Sequence, residues 1–271
     1  MTITASTYAR ESDGRPILVE SYVLFIDVLG VKCLARQPDA ADTLVRLDAA
    51  VARGRELSTD RASRPWWTAS WFSDSLCLCA PIRPVNEFEE GEPELGAFLG
   101  TTSAVQFELA LAGFFMRGGA SLGLQFSDEN MTFGPALIEA VEMERQIGQP
   151  CVGLDESVVA RARGHLRFYG NPFESPQNHD IRLSDGAPFV NYLEAAYNYV
   201  GESLREDLSM VLAHRDNVRK SLATGFPPKT HSKYEWLADY HNDFCRRNDL
   251  EDCCVEEAPA SHEFVDFATL A

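Results

Sequence analysis

Positive charge is what this chain has least of: 24 lysines and arginines stand against 41 aspartates and glutamates, a formal net charge of -17 over 271 residues. Such a surface repels polynucleotide phosphates, and no local basic patch offsets it, so no nucleic-acid partner is expected. A nucleotide carried on a metal ion remains allowed, because the cation then supplies the positive charge. Long hydrophobic runs are also missing. No stretch reaches the roughly 18 uncharged apolar residues of a membrane span, and residues 1–6 lack the charged start and apolar core of a secretion signal. A cytoplasmic protein with no membrane partner is the expectation. The seven cysteines (Cys33, Cys77, Cys79, Cys151, Cys245, Cys253 and Cys254) are odd in number and contain no Cys-x-x-Cys pair or zinc-type spacing, which reads as reduced thiols. The 45% hydrophobic content allows an ample core in one large domain, or in a domain with an extension.

Within that acidic chain two aspartates stand out by position. Asp27 in Phe25-Ile26-Asp27-Val28-Leu29-Gly30 and Asp74 in Trp71-Phe72-Ser73-Asp74-Ser75-Leu76 each interrupt an apolar, strand-like run. A buried carboxylate there is costly without a counter-charge. Helix-spaced Leu44, Leu47 and Val51 separate the two runs, so a strand, a helix and a hairpin would return Asp74 beside Asp27 on neighbouring strands. Two carboxylates facing one cleft can share two divalent cations.

The remaining pattern gives an order of elements. Residues 1–19 read as a polar, loose tail, and 22–26 as a fully buried strand. The apolar runs 66–72 and 76–82 form a hairpin with Ser73-Asp74 at its tip. Residues 84–93 make an acidic loop, 94–116 a long helix, 118–126 a strand and 133–145 a helix. Strand then helix come over 150–160, and 181–193 is a last strand. Two helices come next, near 202–223 and 231–247, broken apart by Pro227-Pro228. The second carries Lys233-Tyr234-Glu235-Trp236-Leu237-Ala238-Asp239-Tyr240, read as a core or dimer element. Beyond 249 the chain is acidic, with an apolar patch at 264–267, a tail or a strap across a partner. Glu139, Glu142 and Glu144 read as a solvated helix face, and Trp66, Trp67 and Trp71 as hairpin packing and dimer contact.

The run Phe25-Ile26-Asp27-Val28-Leu29-Gly30 with Asp74 in a downstream hairpin resembles the catalytic domain of class III nucleotidyl cyclases. Arg117-Gly118-Gly119-Ala120-Ser121-Leu122-Gly123 is similar to that family's Arg-x-Gly-Ile-x-x-Gly strand. Gly134, Ala140, Met143 and Glu144 keep the register of its Gly-x-x-Val-Asn-x-Ala-x-Arg-Met-Glu helix. Val152-Gly153-Leu154-Asp155-Glu156-Ser157 resembles the strand-to-helix passage after that helix. The resemblance covers about residues 20–195. It implies an α+β fold, a ferredoxin-like or palm βαββαβ domain over 20–195, with a helical extension and acidic tail over 196–271.

The departures matter as much. Where the family places an asparagine for the ribose and an arginine for the transition-state phosphate, this chain has Ile138 and Glu142. Adenylate cyclases of the family select purine with a lysine four positions before the second aspartate and an aspartate three before the helix-opening glycine. Ser70 and Met131 stand there, so a purine would find unmatched polar partners. Phe-Ile-Asp-Val-Leu-Gly, Phe-Ser-Asp-Ser, Met-Arg-Gly-Gly and Phe-Gly-Pro-Ala-Leu-Ile-Glu-Ala look like the bacterial pyrimidine cyclases of Pycsar anti-phage defence. That implies cyclic UMP or cyclic CMP made from UTP or CTP, with UTP favoured. The product would be a second messenger that activates a separate effector. It also implies a homodimer, one domain supplying the aspartates and the other the base and ribose contacts.

In the expected reaction the ribose 3'-hydroxyl attacks the α-phosphate and pyrophosphate leaves in line. Asp27, Asp74 and the Val28 carbonyl region would hold two Mg²⁺ or Mn²⁺ ions per site. Backbone N–H groups of Val28, Leu29, Gly30 and Val31 are candidates to cradle the phosphates. Lys32 would add charge, and Arg117 would touch phosphate, stand in for the missing transition-state arginine, or form a structural salt bridge. Ser70 and Met131 are the base-pocket candidates. Two other readings compete. One is a catalytically silent cyclase-like domain that binds a nucleotide or a protein partner. The other is a GGDEF-type dinucleotide cyclase, opposed by the lack of any Gly-Gly-Asp/Glu-Glu-Phe string.

Overall fold

The computed structural model describes residues 7–59, 67–72, 74–83, 90–256 and 261–271, with side chains at 32, 33, 54, 55, 57–59, 198 and 199 left aside. Trp66, Ser73, the acidic loop at 84–89 and the Lys32 side chain lie outside what is described.

The apolar run around Tyr22 forms β1 (Val19–Val28), followed by the single turn α1 (Val31–Leu34) and by α2 (Ala40–Thr59). A hairpin comes next, β2 (Thr68–Phe72) and β3 (Ser75–Pro81), then α3 (Glu92–Leu111), which is apolar almost all round and buried, and β4 (Met116–Ser127). Beyond these come β5 (Thr132–Phe133), α4 (Pro135–Ile147), β6 (Val152–Leu154) and α5 (Glu156–Leu166). Asp155 caps α5 by accepting the Val158 N–H at 3.0 Å, the side-chain cap that a helix start requires.

Among the described residues the strands form one sheet in the order β2-β3-β1-β4-β6, continued by β8 (Ala187–Val190), β7 (Ile181–Ser184) and β9 (Phe264–Asp266). β1 runs antiparallel to both β3 and β4, and β2 antiparallel to β3. The core order is therefore β-α-β-β-α-β, and its last strand, β4, lies beside its first. This is the ferredoxin-like α+β arrangement expected from the sequence, with β6 added parallel to β4.

Side chains alternate across β1. Tyr22, Leu24, Ile26 and Val28 enter the main core with α2, α3 and α5. Val23 and Phe25 face the other way, onto Ala136, Leu137 and Ala140 of α4. Asp27 shares that second face by the same period of two, at the strand end.

A second core unites residues on both sides of position 195. Phe107, Phe115, Phe189 and Tyr192 pack with Trp236, Tyr240 and Phe244, and two C-terminal helices build its far side, α8 (Ser209–Ala223) and α9 (Pro228–Arg247). A five-residue helix, α6 (Pro176–Asp180), precedes β7, and α7 (Ala195–Val200) comes after β8.

Three sequence expectations change here. The single strand over 181–193 is a hairpin, because Asp185 and Gly186 both take positive φ (51° and 83°), the demand of a two-residue I′ turn. The apolar patch at 264–267 pairs with β7 of its own chain, held by buried Arg182, which binds Asp266 and Asp243. Of the supposedly loose tail, Tyr8 is buried, its hydroxyl 2.9 Å from Ser21 Oγ, and Arg10 pairs with Asp128 at 2.6 Å.

Candidate active site

β1 and β3 pair in the register Asp27↔Ser75, and β1 and β4 in the register Asp27↔Arg117. The β2–β3 turn is folded back onto the end of β1, where the Val28 N–H donates to the Asp74 carbonyl at 3.1 Å. Asp74 thereby stands close enough to Asp27 for its charge to act on the Asp27 carboxyl. Burial, and next the Asp74 charge, push the Asp27 carboxyl above the usual carboxylate range; Arg117 pulls the other way. Two neighbouring carboxyls cannot both ionise cheaply.

Arg117 stands 3.7 Å from Asp27 Oδ2, while its Nε lies 2.6 Å from Glu144 Oε1, an ion pair without hydrogen-bond alignment. Glu144 is buried, at 5% exposure. This corrects the solvated helix face expected for Glu144, and the reason is Gly119. A Cβ there would stand 2.2 Å from the Ala140 carbonyl oxygen and 2.7 Å from the Glu144 nitrogen. The bare glycine lets α4 lie directly on β4 and carries Glu144 into the site. Glu139 and Glu142, on the outer side of α4, are exposed, as expected of a solvated face, and Ile138 is exposed beside them.

The phosphate cradle also needs correcting. The Val28 N–H is taken by Asp74, and the Leu29 N–H donates to the Phe115 carbonyl at 2.8 Å, so neither is free for a ligand. Gly30 turns the chain at φ +79°. The N–H groups of Gly30 and Val31 have no partner among the described residues.

The two base-pocket candidates do not meet within one chain. Ser70 lies on β2 opposite Cys77, near the carboxylate end. Met131 is exposed in the β4–β5 turn, about 30 Å along β4 from Arg117 at roughly 3.3 Å per residue. Trp67 and Trp71 pack on the main core, consistent with hairpin packing.

Among the described residues no group of three or more His, Cys, Asp or Glu side chains is arranged to hold a metal ion. The donor set is two neighbouring carboxyls, that of Asp27 pushed towards protonation by burial and by the Asp74 charge. That suits a small hard cation, which keeps waters and takes substrate phosphates as its other ligands. Among the described residues, no helix is long and apolar enough to cross a membrane.

No protein-family model and no curated protein sequence matches the chain. Solved structures similar to it include a bacterial light-regulated adenylyl cyclase, at 14% identity and TM-score 0.44, covering 70% of this chain and 99% of that one. A second structure of a bacterial light-regulated adenylyl cyclase is 13% identical, TM-score 0.39, covering 55% and 48%. A class III adenylyl cyclase-like ATP-binding protein from Pseudomonas aeruginosa is 10% identical, TM-score 0.40, covering 97% and 78%.

Proposed function

We propose that the chain is a nucleotidyl cyclase acting on a pyrimidine nucleoside triphosphate, UTP before CTP, with two Mg²⁺ or Mn²⁺ ions held at Asp27, Asp74 and the Val28 carbonyl region. The observation that carries this reading is the placement of Asp27 and Asp74 side by side where β1 meets the β2–β3 turn of a ferredoxin-like sheet, by the Asp27↔Ser75 register and the bond from the Val28 N–H to the Asp74 carbonyl. When bound, the ions would neutralise the triphosphate and ease loss of the 3'-hydroxyl proton. The ribose O3' bonds to the α-phosphorus, the bond to the pyrophosphate oxygen breaks, and the released proton leaves to solvent.

The chain's own groups divide that work. Asp27 and Asp74 bind the cations, Arg117 balances Glu144 and Asp27, and the N–H groups of Gly30 and Val31, without a partner among the described residues, would donate to a phosphate oxygen. The pyrimidine choice is supported by the sequence likeness to pyrimidine cyclases and by Ser70 and Met131 at the two base-pocket positions. A homodimer would bring Met131 of one copy towards Ser70 of the other. The exposure of Phe72, Leu124, Met131, Phe133 and Ile138 supports such an association. A cyclic-nucleotide-activated effector in anti-phage defence would read the product.

The test is incubation with each of the four nucleoside triphosphates and Mn²⁺, with products identified by mass spectrometry. Cyclic UMP or cyclic CMP is expected; a purine-only cyclic product would overturn the substrate assignment. The engagement of Arg117 by Glu144 favours a second reading, a silent domain that binds nucleotide without turnover. Nucleotide binding with no product in the wild type would select it.

A further inference from the structure

The acidic end of the sheet has a neighbour far along the chain. Lys233 lies on α9 beside Tyr234, and the Tyr234 ring sits 6.0 Å from that of Phe115 and stacks on Phe226 at 5.3 Å. The Phe115 carbonyl accepts the Leu29 N–H, and Phe115 stands just before Met116 and Arg117. Leu29 itself packs against the core that α9 builds. The start of α9 is therefore pinned to the strand ends that carry Asp27 and Arg117.

Lys233 is partly buried and forms no ion pair among the described residues. The charges facing it are Asp27 and Glu144 on the attractive side and Arg117 and Lys229 on the repulsive side. Burial, then the two cations, hold its ammonium below the ordinary lysine range. Arg117 already occupies Glu144 and Asp27, which leaves Lys233 a partly buried positive charge near Asp27 and Glu144, with no ion-pair partner among the described residues. A compact ammonium on a flexible stem in that position suits a phosphate oxygen.

We propose that Lys233 contacts the β- and γ-phosphates of a nucleoside triphosphate held at Asp27 and Asp74 of the same chain. Negative charge grows on the pyrophosphate as its bond to the α-phosphorus breaks, and a cation fixed there lowers that barrier. The proposal rests on the cyclase reading, and it makes α9 part of the catalytic unit rather than an appendage.

The experiment compares the full-length wild type with Lys233→Ala, Lys233→Gln and Lys233→Arg. It uses steady-state kinetics on the triphosphate that the wild type consumes, inhibition by pyrophosphate, and thermal melting. With melting unchanged, Lys233→Ala and Lys233→Gln should lose about 10- to 100-fold in kcat/KM. Their pyrophosphate inhibition constants should rise by about 10-fold, and Lys233→Arg should recover most of both. Wild-type kinetics and wild-type pyrophosphate inhibition in Lys233→Gln would overturn the proposal. If the wild type turns over no nucleotide, the cyclase reading fails by itself. Calorimetric binding of Mn²⁺-pyrophosphate then decides Lys233: weaker binding in Lys233→Gln supports the contact, equal binding removes it.

Discussion

The two ends of this molecule treat buried polar groups in opposite ways. In the C-terminal core a chain of hydrogen bonds runs from Tyr192 Oη to His214 Nε2 (2.8 Å), from His214 Nδ1 to His241 Nδ1 (3.0 Å), and from His241 Nε2 to the Cys253 carbonyl (3.0 Å). One direction of donation satisfies all three bonds, with both imidazoles neutral. Trp236 gives its N–H to Ser184, Tyr240 its hydroxyl to Asn191, and Asn242 both gives and takes with Val255. At the carboxylate end, by contrast, Arg117 and Glu144 face each other without alignment, Asp27 crowds Asp74, and two backbone N–H groups stand open among the described residues. Satisfied networks rigidify; incompletely satisfied ones are kept where a ligand completes them.

The largest expected effect that would break this contrast is at the carboxyl pair. Asp27→Ala or Asp74→Ala should cost about 10³-fold in cyclisation rate, the several kcal/mol that charge stabilisation at a phosphoryl centre supplies, with the circular dichroism spectrum kept. Retained activity would make the pair structural. Trp236→Ala should do the reverse: it removes a fully buried indole at a cost of about 3–5 kcal/mol, read by urea unfolding.

The histidine pair sharpens the comparison through pH. Burial holds His214 well below the ordinary histidine range and brings His241 from 6.5 down to about 4. A histidine depressed by folding adds stability that is full above 6.5 and is lost as pH falls towards 4. Urea unfolding should show a loss of about 3 kcal/mol across that window from His241 alone, with His214 adding to it, and a flat profile would contradict the neutral chain of hydrogen bonds. The smallest effect belongs to Asp27→Asn. A carboxyl raised by burial and by Asp74 stabilises the fold only while protonated, below the usual carboxylate range, and opposes it as pH rises through the raised value. In metal-free protein at neutral pH, Asp27→Asn should therefore raise the urea midpoint slightly, by under about 1 kcal/mol; a fall would show that the pair is not repulsive.

Periodicity makes much of the fold legible. The unbroken apolar run of β1, the alternating hairpin and the helix-spaced α4 are local signals, and the Asp27–Asp74 pairing comes from the handed return of strand, helix and hairpin. Asp185-Gly186 is a local signal too, a two-residue hairpin turn, but the apolar residues on both sides of it read together as one strand. Glu144 and Lys233 are not legible. Glu144 reaches the site because Gly119 has no side chain, and the start of α9, with Lys233, is held near the strand ends because Tyr234 packs on Phe115. Those contacts join distant stretches of chain, and no local pattern encodes them.

Everything in the proposed chemistry depends on Asp27 and Asp74 binding divalent ions together for a triphosphate. A Mn²⁺ titration followed by electron paramagnetic resonance, with UTP present, tests this on wild type and on Asp27→Asn/Asp74→Asn. Two ions bound per chain in the wild type and none beyond those carried by free UTP in the double variant is the predicted result. Equal Mn²⁺ binding by the two proteins would contradict it.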